Sequence, residues 1–521
     1  MVSLRGHIKF MQEKFTPEGG DMGWKVARFL LFGALVWMLA NFFVNKYHHF
    51  FEGDTSWLYR TGQYILSQHK LPAYDLYSWT DINRPWILYQ WLYELLIAFI
   101  ARLIGFRETL AVGLVYSCIL FLVFPSLQKN SRRIPFLFFT LSGLLGLITS
   151  AAALSLRPNL VTLSSLALQF IALPYYRAGQ IKAKVFFPVL FVSYALWSNC
   201  HMGFSLGILS LILTMLGDIL ARSGLYRADL NDKKLDERTL SIKEYLIMIA
   251  LAFVATGVNP YGWGLWSYLY DLSTQSEIHL IINELNHLNF SESYGKDFLI
   301  LAMIILSLSV KAKKHFNLSG LIHLIAFGGL TIASSRFLVW FGIYAALILP
   351  YAIYQAYFPH RDSFTVFREL VSKFDFWKKP LVFILCISSL IVLVLAVIYP
   401  PKPNPCEKYK PAIRAYLKYL RKHPATRLGN DDHLGNCLIL YSPYAKVYID
   451  SRFDMYGEDY VLDWYQELML AKNWQRFIHE KKIDLVMISN DWELAHELEK
   501  AKDFRLLYRD QEAVIYAKRN T

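Results

Sequence analysis

Apolar residues recur in long runs from residue 27 to residue 400, broken by short polar stretches, and the pattern changes after Pro400-Pro401. The runs lie near 27–44, 109–127, 135–154, 159–176, 185–200, 203–221, 244–258, 297–311, 317–334, 337–356 and 380–399. Most approach the length that crosses a bilayer as a helix, so the reading is an α-helical polytopic membrane protein with about 11–13 transmembrane helices. A further apolar piece, 88–104, fits this series differently. Lys129, Arg132 and Arg133, then Arg177, Lys182 and Lys184, then the 222–243 loop, the Lys311–Lys314 cluster and the Arg361–Lys379 loop all carry cationic residues. Cationic loops collect on the inner side of a membrane, and these agree with one another only if 88–104 does not cross. That piece is therefore expected to be a re-entrant or interface-lying helix.

The division that follows is a basic lead-in over 1–26, a transmembrane domain over 27–400 and a C-terminal domain over 401–521. The lead-in is placed in the cytoplasm. A large first outer loop, 47–108, follows the first span. With an odd number of crossings the C-terminal domain is expected outside. Within that domain, short apolar segments alternate with amphipathic ones. They predict a helix at 408–422, strands at Cys437–Tyr441 and Lys446–Asp450, and helices near 459–470 and 473–480. A strand at Ile483–Ser489, a helix at 491–501 and strands at 504–509 and 512–518 complete a small soluble α/β domain.

Composition supports this division and removes other classes. The 521 residues are 55% hydrophobic and 18% charged, with a mean hydropathy of +0.29. The net charge of +13 is spread through short loops rather than along a basic stripe, so nucleic acid is not an expected partner. No cleavable signal peptide is read at the start, because some two dozen residues precede the first apolar run and no small-residue cleavage site follows it. Cys118, Cys200 and Cys386 lie in or at apolar runs and read as packing residues. Cys406 and Cys437 lie in the C-terminal domain, where an oxidising compartment would permit a disulfide between them.

The candidate chemistry concentrates on the outer face. The stretch Phe50–Arg107 alternates Trp and Tyr with Asp54, Asp75, Asp81 and Glu94, and also holds Arg60 and Arg84. Aromatic rings interleaved with carboxylates suit the binding of sugars or headgroups, although an interfacial aromatic belt would account for the rings alone. Asp54 could act as a general base or ligate a divalent cation, or it could cap a helix over Trp57–Gln68. Asp75 follows Pro72 in a turn-like context, and Glu94 is an ionisable group inside an apolar helix, able to pair with Arg60, Arg84 or Arg102. Arg157 and Arg336 each end a span, where a guanidinium can hold a lipid-linked phosphate or snorkel to headgroups. His201, in Trp197-Ser198-Asn199-Cys200-His201-Met202-Gly203, could bind substrate or cap its helix. Glu284, in the long outer segment Asn259–Lys296, could supply a second acid. Asp450-Ser451-Arg452-Phe453-Asp454 reads as a turn with salt bridges. No Walker loop, dinucleotide fingerprint, HExxH or paired CxxC is present.

Taken in order, these motifs resemble the GT-C superfamily of integral-membrane glycosyltransferases, and within it proteins similar to protein O-mannosyltransferases and lipid A aminoarabinose transferases. The carrying residues are Gly53-Asp54, the acidic aromatic loop with Pro72 and Asp75, and the helix with Trp86, Trp91 and Glu94. Leu156-Arg157-Pro158-Asn159, the Trp197–Gly203 segment, Asn259-Pro260-Tyr261-Gly262 and the terminal outer domain with its Asp450–Asp454 stretch add to them. The resemblance implies a polyprenyl-phosphate sugar donor, a bilayer setting, and transfer to a glycan, lipid or protein acceptor on the outer side. It implies Asp54 as the catalytic base. Asp75, Glu94, Arg60, Arg157, His201, Arg336 and Glu284 are the expected substrate-binding residues. It leaves a divalent cation open, because Arg157 stands where a second acid is usual and Thr55, not an acid, follows Asp54.

Overall fold

The computed structural model describes residues 50–80, 85–128, 134, 136–223, 239–274, 281–312, 318–357 and 404–519. The expected spans at 27–44 and 380–399, together with Asp81, Arg84 and Cys386, lie outside the described residues.

The outer loop supplies α1 (Gly53–Gln68) and α2 (Trp91–Ile104). The helical body continues with α3 (Phe106–Leu122), α4 (Phe136–Ser150), α5 (Asn159–Arg177), α6 (Ala183–Ser198) and α7 (Phe204–Arg222). It closes with α8 (Ile242–Ala255), α9 (Gly264–Thr274), α10 (Ser293–Ala312), α11 (Leu318–Ala333) and α12 (Leu338–Tyr357). Three stretches, Phe204–Arg222, Ser293–Lys311 and Ser335–Ile353, are long and apolar enough to cross a membrane, and shorter apolar helices accompany them. The chain is a multi-pass helical membrane protein with a small C-terminal α/β domain.

Small residues set how closely these helices approach. Apolar side chains gain little from meeting one another in lipid, so close backbone contact has to supply the attraction. Where α4 crosses α12, a Cβ at Gly146 would lie 2.4 Å from the Gly342 carbonyl oxygen. In the outer loop, α1 presses on α2 through Gly62, where a Cβ would lie 2.0 Å from the Glu94 carbonyl oxygen. Glu94 itself is fully buried at this contact.

The start of α1 corrects an expectation. The helix begins at Gly53, not Trp57, and Glu52 rather than Asp54 is the N-cap. The Glu52 backbone N–H donates to Thr55 Oγ1 at 3.3 Å. Asp54 sits in the first turn, and its carboxylate turns outward instead of closing the helix end.

The C-terminal domain contains α13 (Lys410–Leu420), α14 (Asp432–Tyr441), α15 (Phe453–Tyr456), α16 (Glu458–Asp463), α17 (Trp474–Glu480) and α18 (Glu493–Lys500). Its strands are β1 (Leu428–Asn430), β2 (Leu485–Ser489), β3 (Phe504–Arg509) and β4 (Ala513–Lys518), in the order β1-β2-β4-β3. Strand β1 runs parallel to β2, and the other pairings are antiparallel. The strand expected at Cys437–Tyr441 is instead the end of α14. Asp431 caps that helix, accepting from Leu434 N–H at 2.7 Å, and a short apolar run does not by itself separate a buried helix end from a strand. The three-residue β1 lies in Arg427-Leu428-Gly429-Asn430, too short for a periodic signal.

Lys446–Asp450 is not a strand of this sheet either; it pairs with the outer loop. Val447 N–H donates to Tyr77 O at 2.9 Å, and Trp79 N–H donates to Val447 O at 3.1 Å. Trp79 Nε1 reaches Leu428 O at 2.9 Å. Beneath this seam lies Arg452, fully buried with Asp75 and Asp450. Its Nη1 meets Asp75 Oδ1 at 2.7 Å and its Nη2 meets Asp450 Oδ2 at 2.7 Å. The guanidinium lies over Trp86 and Tyr77, 4.6 Å and 4.9 Å from the ring centres. The domain is therefore clamped to the outer loop by backbone pairing above and a buried ion triad below.

Candidate functional site

A cavity of about 1050 Å³ opens between the helical body and the C-terminal domain. The first turn of α1, Arg157, Glu284, the start of α10 with Asp297, and Arg336 form one side. Cys406, Lys408, Asp432, His433, Asn436 and Ser451 form the other. Cys406 and Cys437 are joined in a disulfide at this wall.

Arg157 is the hub. Its Nε lies 2.7 Å from Glu52 Oε2, its Nη2 3.0 Å from Asp54 Oδ2, and its Nη1 2.9 Å from Glu284 Oε1. Burial alone would pull the guanidinium down, but the Asp54, Glu52 and Glu284 carboxylates outweigh it and hold the proton more tightly than in free arginine. The other oxygen of Asp54 is bonded as well. Ser451 Oγ donates to Asp54 Oδ1, and Trp57 Nε1 donates to it at 3.3 Å.

Arg336 differs. It is exposed, lines the same cavity, and forms no ion pair among the described residues. The segment carrying it is tied to Glu284, because Ser334 Oγ and Ser335 Oγ both donate to the Glu284 carbonyl, at 3.0 Å and 3.1 Å. Across the cavity, burial pushes the Asp432 carboxyl up to about 6, with His433 opposing and Asp431 reinforcing the rise.

Of the residues expected from sequence to act as base or to bind substrate, the cavity gathers Asp54, Arg157, Glu284 and Arg336. The others lie elsewhere. Asp75 belongs to the Arg452 triad. Arg60 is held between α1 and α14, its Nε 2.8 Å from Leu440 O and its Nη1 2.7 Å from Gln63 Oε1. Glu94 is buried between α1 and α2. His201 Nδ1 accepts from Gly203 N–H at 3.1 Å and lies 2.7 Å from Thr162 Oγ1, which in turn accepts from Trp197 Nε1 at 2.7 Å. This chain of donors fixes the Nε2–H tautomer of a neutral imidazole.

Sequence reasoning missed Glu52, Asp297, Asp432 and Asn436, and it named Ser451 only within the Asp450–Asp454 turn. For Glu52 a signal existed: in Glu52-Gly53-Asp54 the partner acid precedes Asp54 instead of following it. Asn436 carried no signal, and nothing within the Asp450–Asp454 turn marked Ser451 for the site, since both residues reach it only through the docking of the domain.

The carboxylates were also weighed as ligands for a divalent cation. Glu52, Asp54 and Glu284 supply suitable oxygens, but a guanidinium stands between them at 2.7–3.0 Å, so the set as arranged does not fit a metal ion. Among the described residues no other group of His, Cys, Asp and Glu is disposed to hold one.

In sequence, no protein family matches this chain, and no curated protein does. In structure, the oligosaccharyltransferase of Archaeoglobus fulgidus in its apo form is similar over 88% of this chain and 69% of that one, at 12% identity and a TM-score of 0.50. ArnT from Cupriavidus metallidurans bound to undecaprenyl phosphate covers 96% of this chain and 98% of its own, at 13% identity and a TM-score of 0.45. The chain therefore shares its overall fold with the archaeal oligosaccharyltransferase.

Proposed function

We propose that the protein is a membrane glycosyltransferase, moving a sugar from a polyprenyl-phosphate donor to an acceptor hydroxyl on the outer side of a bacterial cytoplasmic membrane. The observation that carries this reading is the convergence of Asp54, Arg157, Glu284 and Arg336 on one large cavity, at the level where the helical body meets the C-terminal domain. ArnT holds undecaprenyl phosphate and the archaeal oligosaccharyltransferase has been captured with dolichol phosphate, which makes a lipid phosphate the natural donor to test.

Asp54 takes the proton of the acceptor hydroxyl. The freed oxygen attacks the anomeric carbon, the bond from that carbon to the phosphate oxygen breaks, and polyprenyl phosphate leaves with the electron pair. The configuration at carbon inverts. Charge decides which arginine meets the phosphate. Arg157 is surrounded by three carboxylates, so an incoming anion there is repelled by more negative charge than it is attracted by positive. Arg336 has no such shell and is the better grip. Positioning and stabilisation of the leaving phosphate supply most of the acceleration. No step is routed through a metal ion.

The pairing of Asp54 with Arg157 also favours a second reading, in which the fold serves as a carrier or scaffold for lipid-linked sugars and the acids are structural. Proteoliposomes given a mixed pool of polyprenyl-phosphate sugars separate the two. Transfer or slow donor hydrolysis by the wild type that vanishes in Asp54→Asn, with the fold intact, supports the transferase. Wild type and variant that are equally inert yet bind undecaprenyl phosphate support the carrier or scaffold. Activity that survives Asp54→Asn rejects Asp54 as the base.

A further inference from the structure

Two acids of the first loop, Asp54 and Asp75, are met by adjacent residues of the C-terminal domain. Asp75 pairs with Arg452, and Asp54 accepts from Ser451. Asp450 and Arg452 point into the buried triad, so the residue between them is held by both neighbours and turns its hydroxyl to the cavity. Ser451 is fixed again from α14: its backbone N–H lies 3.3 Å and its Oγ 3.0 Å from Asn436 Oδ1. Asn436 packs on the start of α1, where a Cβ at Gly53 would lie 2.4 Å from its Nδ2. Trp57 Nε1 completes the group, 3.3 Å from both Asp54 Oδ1 and Ser451 Oγ.

We propose that Ser451 is a positioning residue for Asp54, so that the C-terminal domain builds part of the general base rather than only recognising the acceptor. The hydroxyl has one proton for two acceptors, the Asp54 carboxylate and the Asn436 amide oxygen. The carboxylate is the stronger acceptor, and the Ser451 N–H remains for the amide. With Ser451 on Oδ1 and Arg157 on Oδ2, the carboxylate plane is fixed at both oxygens before any acceptor arrives. An unfixed aspartate in the first turn of α1 would sample several rotamers and face the acceptor hydroxyl for only part of the time.

This inference rests on the proposed transferase activity, and one set of variants separates the two. Wild type, Asp54→Asn, Ser451→Ala and Ser451→Thr are compared for transfer or donor hydrolysis in proteoliposomes, with thermal melts as a check on folding. Ser451→Ala is expected to lower kcat by roughly 10- to 100-fold, the loss that follows from removing one hydrogen bond to a charged group, with KM for donor little changed. Ser451→Thr keeps the hydroxyl and restores kcat. A Ser451→Ala enzyme with wild-type kcat, or one that loses kcat and donor KM together, overturns the positioning role while the transferase stands. A loss that Ser451→Thr fails to restore also overturns it. An inert wild type overturns both together.

Discussion

The Arg452 triad offers the sharpest test of how the outer loop is held. Arg452, Asp75 and Asp450 are all fully buried at their side chains. Replacing Arg452 by Met keeps most of the volume and removes the cation, leaving two carboxylates in a site built for a net charge of one. Removing one partner of a buried pair costs about 3–5 kcal/mol. The guanidinium contacts with Trp86 and Tyr77, 4.6 Å and 4.9 Å away, put this site at the upper end of that range. The pH dependence gives a second readout. Burial works against a charged Asp75, but Arg452, Ser78 and the Tyr77 N–H together hold its carboxyl below the ordinary value. In the wild type its contribution is therefore complete above the ordinary carboxylate range and is lost as pH falls through the depressed value. In Arg452→Met the sign reverses: buried carboxylates without a cation favour the proton, and acidification restores stability. The double variant Arg452→Met with Asp75→Asn removes one uncompensated charge and recovers about 1–3 kcal/mol relative to the single change. Hydrogen exchange in nanodiscs, read at Tyr77–Thr80 and at Val447, reports the seam directly, and thermal melts report the whole. A single variant that melts within about 1 °C of wild type refutes the reasoning, as does a double variant that costs the sum of its parts.

Two further outcomes follow from the packing. Reducing the Cys406–Cys437 disulfide, whose partners lie 31 residues apart, frees a loop whose closure entropy is worth roughly 3–4 kcal/mol. Proteolysis of the C-terminal domain is expected to accelerate on reduction in the wild type and to be indifferent to reductant in Cys406→Ser with Cys437→Ser. Gly62→Ala places a Cβ 2.0 Å from the Glu94 carbonyl oxygen, so α1 and α2 must separate, at about 1–3 kcal/mol or more. Gly264→Ala, where nothing lies within 4 Å, is the matched control and leaves the melt unchanged.

Long apolar runs were legible because a helix in lipid must satisfy its own backbone and display apolar side chains over its whole length. The expected segments at 159–176, 203–221 and 337–356 fall within two residues of α5, α7 and α12 at both ends. The closing strands of the C-terminal domain were legible for a similar reason, since Phe504–Arg509 and Ala513–Lys518 are paired along their length. Cys437–Tyr441 was not, because five apolar residues look alike in a buried helix end and in a strand. Lys446–Asp450 is not the strand expected: it makes one isolated bridge, from Val447 to Ser78 in the outer loop some 370 positions earlier, and local pattern carries no information about that. The site divides the same way. Asp54, Arg157 and Arg336 stood out because charge at the end of an apolar run needs explaining, and Glu284 because it is an acid in the long outer segment Asn259–Lys296. Ser451 and Asn436 are ordinary polar residues of a soluble domain until docking brings them to α1.

That docking also says why a soluble domain is joined to this helical body at all. Asp54 and Asp75 of the first loop lie 21 positions apart, and each is matched by one residue of a single tripeptide, Asp450-Ser451-Arg452. One contact is buried and fastens the domain. The next faces the cavity and orients the carboxylate proposed to act as base. Neighbouring residues on one backbone cannot move independently, so the grip on Asp75 and the setting of Asp54 are mechanically one feature. Loosening the triad would disturb Asp54 even though no member of the triad lines the cavity, and a helical body without its C-terminal domain would keep Arg157 and its carboxylates but lose the second hold on Asp54.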